Sequence, residues 1–176
     1  MPLHYRAWRE ALARAGAPDH VFRADEFYSC GGKSANDVVR FLNERYGMHM
    51  DAASTAADKR RIYLEMLEKE GMQPIREVVE FVHSLGDAPK AIATGSAMPG
   101  ASRTLAAAGL SGLFDVILTP DEVEHGKPAP DMFLKAAELL GVSPDRCVVF
   151  EDAEPGMKAA AAAGMDCVQV RRPSLA

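Results

Sequence analysis

Three short runs carry the residues that could do chemistry together. Lys127 stands in a Gly126-Lys127-Pro128 loop, Glu151 and Asp152 close the apolar run Cys147-Val148-Val149-Phe150, and Thr94-Gly95-Ser96 follows the apolar Ile92. In open α/β sheets, ligands collect beyond the carboxyl ends of the strands. A lysine and an acidic pair delivered there suit an anion and a divalent cation bound side by side. Thr94 would add a hydroxyl and a backbone N–H for an anion's oxygen, and Gly95 would let a ligand approach the backbone. Each residue also has a plainer reading. Asp152 could cap the helix after it, Thr94-Gly95 could be an ordinary turn, and a loop lysine is most often solvated. Pro128 and Pro130 stiffen the lysine's loop, which favours a positioned side chain.

The elements that must place these residues are legible in the spacing of apolar positions. The pattern predicts a helix over 2–15, with Tyr5, Trp8, Leu12 and Ala15 on one face and Pro2 in its first turn. A short helix over 22–30 and a turn at Gly31-Gly32-Lys33 follow. Ser34 begins another helix, with Asp37 completing a capping box and Val38, Leu42 and Tyr46 as its buried stripe. A longer helix over 54–70 stops at Gly71. Residues 1–73 carry no strand signal and read as one all-α unit. From residue 74 the pattern becomes α/β. Helices are predicted at 75–85, 99–108 and 131–140 and after Gly156, with a helical turn at 121–124. Strands are predicted at 89–94, 115–118, 147–150 and 166–170. Val78, Val79 and Val82 should face inward, and the 147–150 strand should be covered on both faces. Strands alternating with helices predict a parallel doubly wound sheet over 74–176. Residues 173–176 should fray.

The totals bound the functions open to such a chain. Its 176 residues suffice for one core, or one core and a small second unit. A net charge of −5 argues against nucleic acid as the main partner, though not against a local basic pocket. Cys30, Cys147 and Cys167 are far apart and form no CxxC pair, so neither a zinc site nor a disulfide framework is indicated. Cys147 and Cys167 read as core residues of a protein in a reducing cytosol. No apolar run is long enough for a membrane span, and no apolar leader opens the chain.

The central stretch resembles the haloacid dehalogenase superfamily of phosphohydrolases. Gly126-Lys127-Pro128-Ala129-Pro130-Asp131 looks like the family's third motif, Phe150-Glu151-Asp152-Ala153 with Gly156 like its fourth, and Ala93-Thr94-Gly95-Ser96 like its second. The resemblance covers nearly the whole chain and is nearest to the sugar-phosphatase branch, which includes β-phosphoglucomutase and the fructose-1-phosphate and 6-phosphogluconate phosphatases. It implies a Rossmann-like parallel core over 74–176, a helical cap over 1–73, and hydrolysis of phosphate monoesters through an aspartyl-phosphate. By motif match, Asp152 would bind Mg²⁺, and Glu151 would contact it directly or through water. Lys127 and Thr94 would hold the transferring phosphoryl group, with Gly95 and Ser96 beside them. His4 and Trp8 match positions near the hinge and pocket mouth, Gly32-Lys33-Ser34 the cap's substrate loop, and Lys59 a basic position facing the pocket.

The family's first motif, Asp-x-Asp-Gly-Thr, carries the nucleophile, and no such run occurs in the sequence. Met1-Pro2-Leu3-His4-Tyr5-Arg6-Ala7-Trp8 is similar to the segment that follows that motif. The resemblance therefore implies an N-terminally shortened chain, lacking the central strand between the second- and fourth-motif strands and inactive alone. Ala35 stands where the mutase carries an arginine, and Ala97 where it carries a lysine. A mutase must hold a second phosphate, which arginine does bidentately, so these alanines favour a phosphatase over a mutase. The expected substrate is a small phosphorylated sugar, and the expected protein a cytoplasmic monomer. The competing expectations are a non-catalytic protein that binds a phosphorylated ligand or partner, and a fragment without function of its own.

Overall fold

Apolar residues at helical spacing build the first part of the chain into four helices. The computed structural model describes residues 1–171; the fraying predicted for 173–176 lies outside the described residues. Helices α1 (Pro2–Arg14), α2 (Ala24–Ser29), α3 (Ala35–Tyr46) and α4 (Ala52–Glu70) follow one another without a strand. Trp8 and Leu12 of α1, Phe22, Phe27 of α2, and Val38 and Leu42 of α3 form one buried cluster. Ala7 and Ala11, on another face of α1, pack against Ile62, Tyr63 and Leu67 of α4. Each large side chain buried in this way contributes about 1.5–3 kcal/mol. The Ser34 hydroxyl caps α3 by accepting from the Asp37 N–H at 3.2 Å. The predicted face of α1 holds at Trp8 and Leu12, whereas Ala15 is exposed beyond the helix end.

The second part alternates helices and short parallel strands: α5 (Arg76–Ser84), β1 (Ala91–Ala93), α6 (Met98–Ala107), β2 (Val116–Leu118), α7 (Asp131–Leu140), β3 (Val148–Glu151), α8 (Glu154–Ala162) and β4 (Asp166–Gln169). The α/β class is as predicted, and α7 has its predicted bounds. The strands do not form one sheet, however. β1 pairs in parallel with β2, in register Ala91 to Val116, and β3 pairs in parallel with β4, in register Val148 to Asp166. No ladder joins β1 to β3 among the described residues. Met132 and Ala136 of α7 pack under β1 and β2, and Phe133 and Ala137 of the same helix pack with Val149, Ala159 and Ala160. One helix thus supports both ladders.

The split corrects several burial expectations. The 147–150 run is not covered on both faces: Val149 is 9% exposed, but Val148 is 52% and Phe150 43%. Cys147 is half-buried and Cys167 exposed, so neither is a core residue; Cys30 is buried. Helix α5 buries no residue fully, and Val78, Val79 and Val82 are only half-buried. Its Phe81 meets Phe150 at 5.0 Å between ring centroids, both rings remaining exposed. These positions line ladder edges and faces that lack a covering layer.

Candidate active site

Lys127 is the residue on which the two ladders converge. The loop between β2 and α7 delivers it to the carboxyl ends of β1 and β3, where it is 7% exposed. Its Nζ donates to Glu151 Oε2 at 2.7 Å and to the Ala93 carbonyl at 3.2 Å, and lies 4.8 Å from the centre of the Phe133 ring. The solvated-lysine reading is excluded. Glu151 Oε1 accepts the backbone N–H of Asp152 at 3.0 Å and of Ala153 at 3.1 Å. Burial pushes the Glu151 carboxyl up, but the Lys127 charge and these hydrogen bonds prevail and hold it below the usual carboxylate range. Asp152 is driven the other way, raised by burial and then by its hydrogen bond with, and the charge of, Glu151. The helix-cap reading of Asp152 fits poorly. The N-cap of α8 is Ala153, and Glu151 receives the amides at the turn.

Two neighbouring carboxyl groups at the strand ends offer the hard oxygen donors that Mg²⁺ prefers. That ion is commonly held by one or two protein carboxylates, with water and phosphate completing its shell. Asp152 fits that role, its raised pKa marking a place where positive charge is welcome. Glu151, already engaged at both oxygens, fits contact through water. Among the described residues no group of three or more His, Cys, Asp or Glu side chains gathers to form a cage of protein ligands alone.

A cavity of about 270 Å³ opens between the helical part and the strand ends. Thr94, Gly95 and Ser96 line it from the loop after β1, and Gly32, Lys33 and Ser34 from the turn before α3. His4 and Trp8 of α1 and Lys59 of α4 form its far wall. All nine residues that the family resemblance pointed to line this one cavity. Lys127, Glu151 and Asp152 do not line the cavity itself. They sit behind the Gly32 turn, whose Cα would place an added Cβ 2.6 Å from Lys127 Cβ.

Two expectations for the Thr94 loop change. The Thr94 N–H donates to the Leu118 carbonyl at 2.9 Å, and its hydroxyl oxygen accepts from the Ser96 N–H at 3.1 Å. Only the hydroxyl proton is left for an anion. The space beside Gly95 is taken by the Gly32–Lys33 backbone, 3.1–3.2 Å from where a Cβ would lie, so its missing side chain admits a neighbouring loop.

The far wall holds a second cation of a different kind. Lys59 Nζ lies 2.9 Å from His4 Nδ1, and 5.5 and 5.4 Å from the ring centres of Trp8 and Tyr63. Desolvation, reinforced by the Arg60 charge, lowers Lys59 to about 8. Desolvation also lowers His4 well below its usual value, with the Lys59 charge acting the same way, so the imidazole is neutral and its Nδ1 accepts. Tyr63 and Phe133 were not legible as site residues in the sequence, because each reads locally as helix packing.

A paired lysine and two carboxylates at parallel strand ends, set behind a helix-roofed cavity, are the groups of a phosphate-handling α/β enzyme. A haloacid dehalogenase-like hydrolase family profile matches residues 1–164, and the chain belongs to that family. Fructose-1-phosphate phosphatase YqaB of Escherichia coli is 37% identical over 171 residues, 97% of this chain and 88% of that protein. Hexitol phosphatase A, also of Escherichia coli, is 32% identical over 99% of this chain and 78% of its own length. A β-phosphoglucomutase from Clostridium difficile superposes with a TM-score of 0.76 at 25% identity, over 97% of this chain and 78% of that one. Family membership makes the chain a hydrolase of the phosphatase type. Among the described residues no helix is long and apolar enough to cross a membrane.

Proposed function

We propose that the cavity binds a small phosphorylated sugar, with its phosphate directed toward Lys127 and Thr94 and Mg²⁺ held by Asp152. The observation that carries this reading is the position of Lys127 Nζ, bonded at once to the Ala93 carbonyl and to Glu151, which fixes a cation where both parallel ladders end. Bound there, Mg²⁺ would neutralise charge on the transferring phosphoryl group. Glu151 holds the lysine in place, Thr94 donates its hydroxyl proton, and residues 1–73 act as the cap that encloses the sugar. The Ala35 and Ala97 methyl groups both line the cavity. Neither replaces the cation that a mutase needs for a second phosphate, which supports a phosphatase over a mutase.

Hydrolysis through an aspartyl-phosphate also needs an attacking carboxylate. Asp152 and Glu151 serve the cation and Lys127, so the proposal places the nucleophile on a further strand seated between β1 and β3. The absence of a ladder between those strands among the described residues, and the exposure of Val148 and Phe150, support such a place. The test compares the 176-residue chain with a version preceded by a strand ending Asp-x-Asp-Gly-Thr. Both are assayed on fructose 1-phosphate and other sugar monophosphates with Mg²⁺. Turnover should require the added strand and be lost in its Asp152→Asn variant. Equal turnover without the strand would sink the proposal for the nucleophile, and mutase turnover exceeding hydrolysis the substrate reading.

A further inference from the structure

We infer that Tyr63 is a positioning residue, and that its hydrogen bond to Thr104 is a latch holding the helical part closed over the cavity. Tyr63 belongs to α4 and Thr104 to α6, so the 2.7 Å contact between their hydroxyl oxygens crosses from one part of the molecule to the other. The Thr104 hydroxyl has one proton, and it donates to the Gly100 carbonyl at 2.8 Å. Tyr63 must therefore be the donor across the cleft and Thr104 the acceptor. Burial raises the Tyr63 pKa, which keeps the phenol protonated and able to donate.

The geometry around this bond is that of a part that can swing. After α4 the described chain passes from the helical part to the α/β part once, through residues 71–75. Gly71 there has φ 70° and ψ −168°, a conformation essentially confined to glycine, and it stands at an element end of the kind that absorbs hinge rotations. The cavity lies between the two parts, with Tyr63 on its wall. The Tyr63 ring stacks on His4 with centroids 3.9 Å apart and an interplanar angle of 6°, and His4 meets Lys59. Displacing Tyr63 would move the imidazole and then the ammonium that faces a ligand. A single neutral hydrogen bond is of a size suited to reversible closure, since opening hands both hydroxyls to water.

The inference rests on the proposed function only for the identity of the ligand, and one arm of the test needs no ligand. The chain contains a single tryptophan, Trp8, which lines the cavity, so its fluorescence reports binding. Inorganic phosphate and fructose 1-phosphate serve as probes, and small-angle scattering measures the radius of gyration without them. Tyr63→Phe keeps the ring and its stacking. It should weaken probe binding roughly two- to tenfold and expand the ligand-free molecule, with its thermal melt still cooperative. Thr104→Val should do the same, the double variant no more than either single one, and Thr104→Ser should restore wild-type behaviour. Wild-type affinity and radius in Tyr63→Phe would overturn the latch, as would effects of Tyr63→Phe and Thr104→Val that multiply. If wild type binds neither probe, the phosphate reading of the cavity fails, and the radii of the variants alone decide the latch.

Discussion

Replacing Lys127 by methionine removes the cation on which the two ladders converge while keeping most of the side chain's bulk. The Lys127 and Glu151 side chains are 7% and 12% exposed and 2.7 Å apart. Removing one partner of a buried pair typically costs about 3–5 kcal/mol, because the other charge stays behind. Glu151 keeps two amide hydrogen bonds on Oε1, which places the loss near the lower end, about 3 kcal/mol on that scale. The methionine sulfur can still touch Phe133, so the lost cation–π contact is partly offset. The deficit should depend on pH with a definite sign. In the wild type Glu151 titrates below its ordinary value, so its stabilising contribution is present above that ordinary value and fades as pH falls through the folded one. Without Lys127 the burial effect dominates and Glu151 should titrate above its ordinary value. The native variant then binds the extra proton, and its deficit shrinks on acidification from neutral pH. Urea denaturation followed by circular dichroism at about pH 8 and about pH 5.5, in chelator-treated buffer, measures both values. Lys127→Met combined with Glu151→Gln should recover at least half of the loss at the higher pH. A deficit equal at the two pH values, with no recovery in the double variant, would refute the electrostatic account.

Two further outcomes follow from the same geometry. Gly32→Ala should cost about 2–5 kcal/mol in the same denaturation assay. Gly32 has φ +84°, an added Cβ would lie 2.6 Å from both Lys127 Cβ and Cδ, and left-handed backbone costs about 1–2 kcal/mol and overpacking about 1–3 kcal/mol. Lys59, lowered to about 8, should bind inorganic phosphate roughly tenfold less well at pH 9 than at pH 7, read by Trp8 fluorescence. The same depression destabilises the fold below that pKa and is relieved as pH rises toward the unfolded lysine value. The alkaline gain in urea melts should therefore vanish in Lys59→Met.

Much of the site was legible because its chemistry is local in sequence. Lys127 between glycine and proline, and the acidic pair at the end of a β-run, announce themselves within a few residues, and α7 follows from apolar spacing and a closing glycine. The bonding of the Thr94 N–H was not legible, since whether a strand-end amide is spent depends on a partner strand some 24 residues away, here Leu118. Nor was the covering of the 147–150 run. A short apolar stretch looks the same whether its neighbours close over it or leave an edge, and only the separation of the two ladders exposes Val148 and Phe150. Tyr63 stayed hidden for a third reason: its ring packs as any core tyrosine would, and only its hydroxyl crosses the cleft.

The treatment of charge along α4 shows which of its cations the fold holds for itself. Arg61 is on the outer face and takes two carboxylates, Asp58 at 3.0 Å and Glu65 at 2.8 Å. Exposed pairs of this kind are worth little, and they do nothing for the cavity. Lys59, two residues earlier, faces inward, where a carboxylate partner would stabilise it far more. Its neighbours are instead a neutral imidazole and two aromatic rings. Lys127 received the opposite treatment, with an acidic partner of its own at the strand ends. An enclosed ammonium without a counter-charge is a standing cost to folding, and local rules tend to be broken where a site needs them broken. On the proposed function, the charge that Glu151 supplies for Lys127 would for Lys59 come from what enters the cavity, and the far wall, more than the strand ends, would then be where one ligand is told from another.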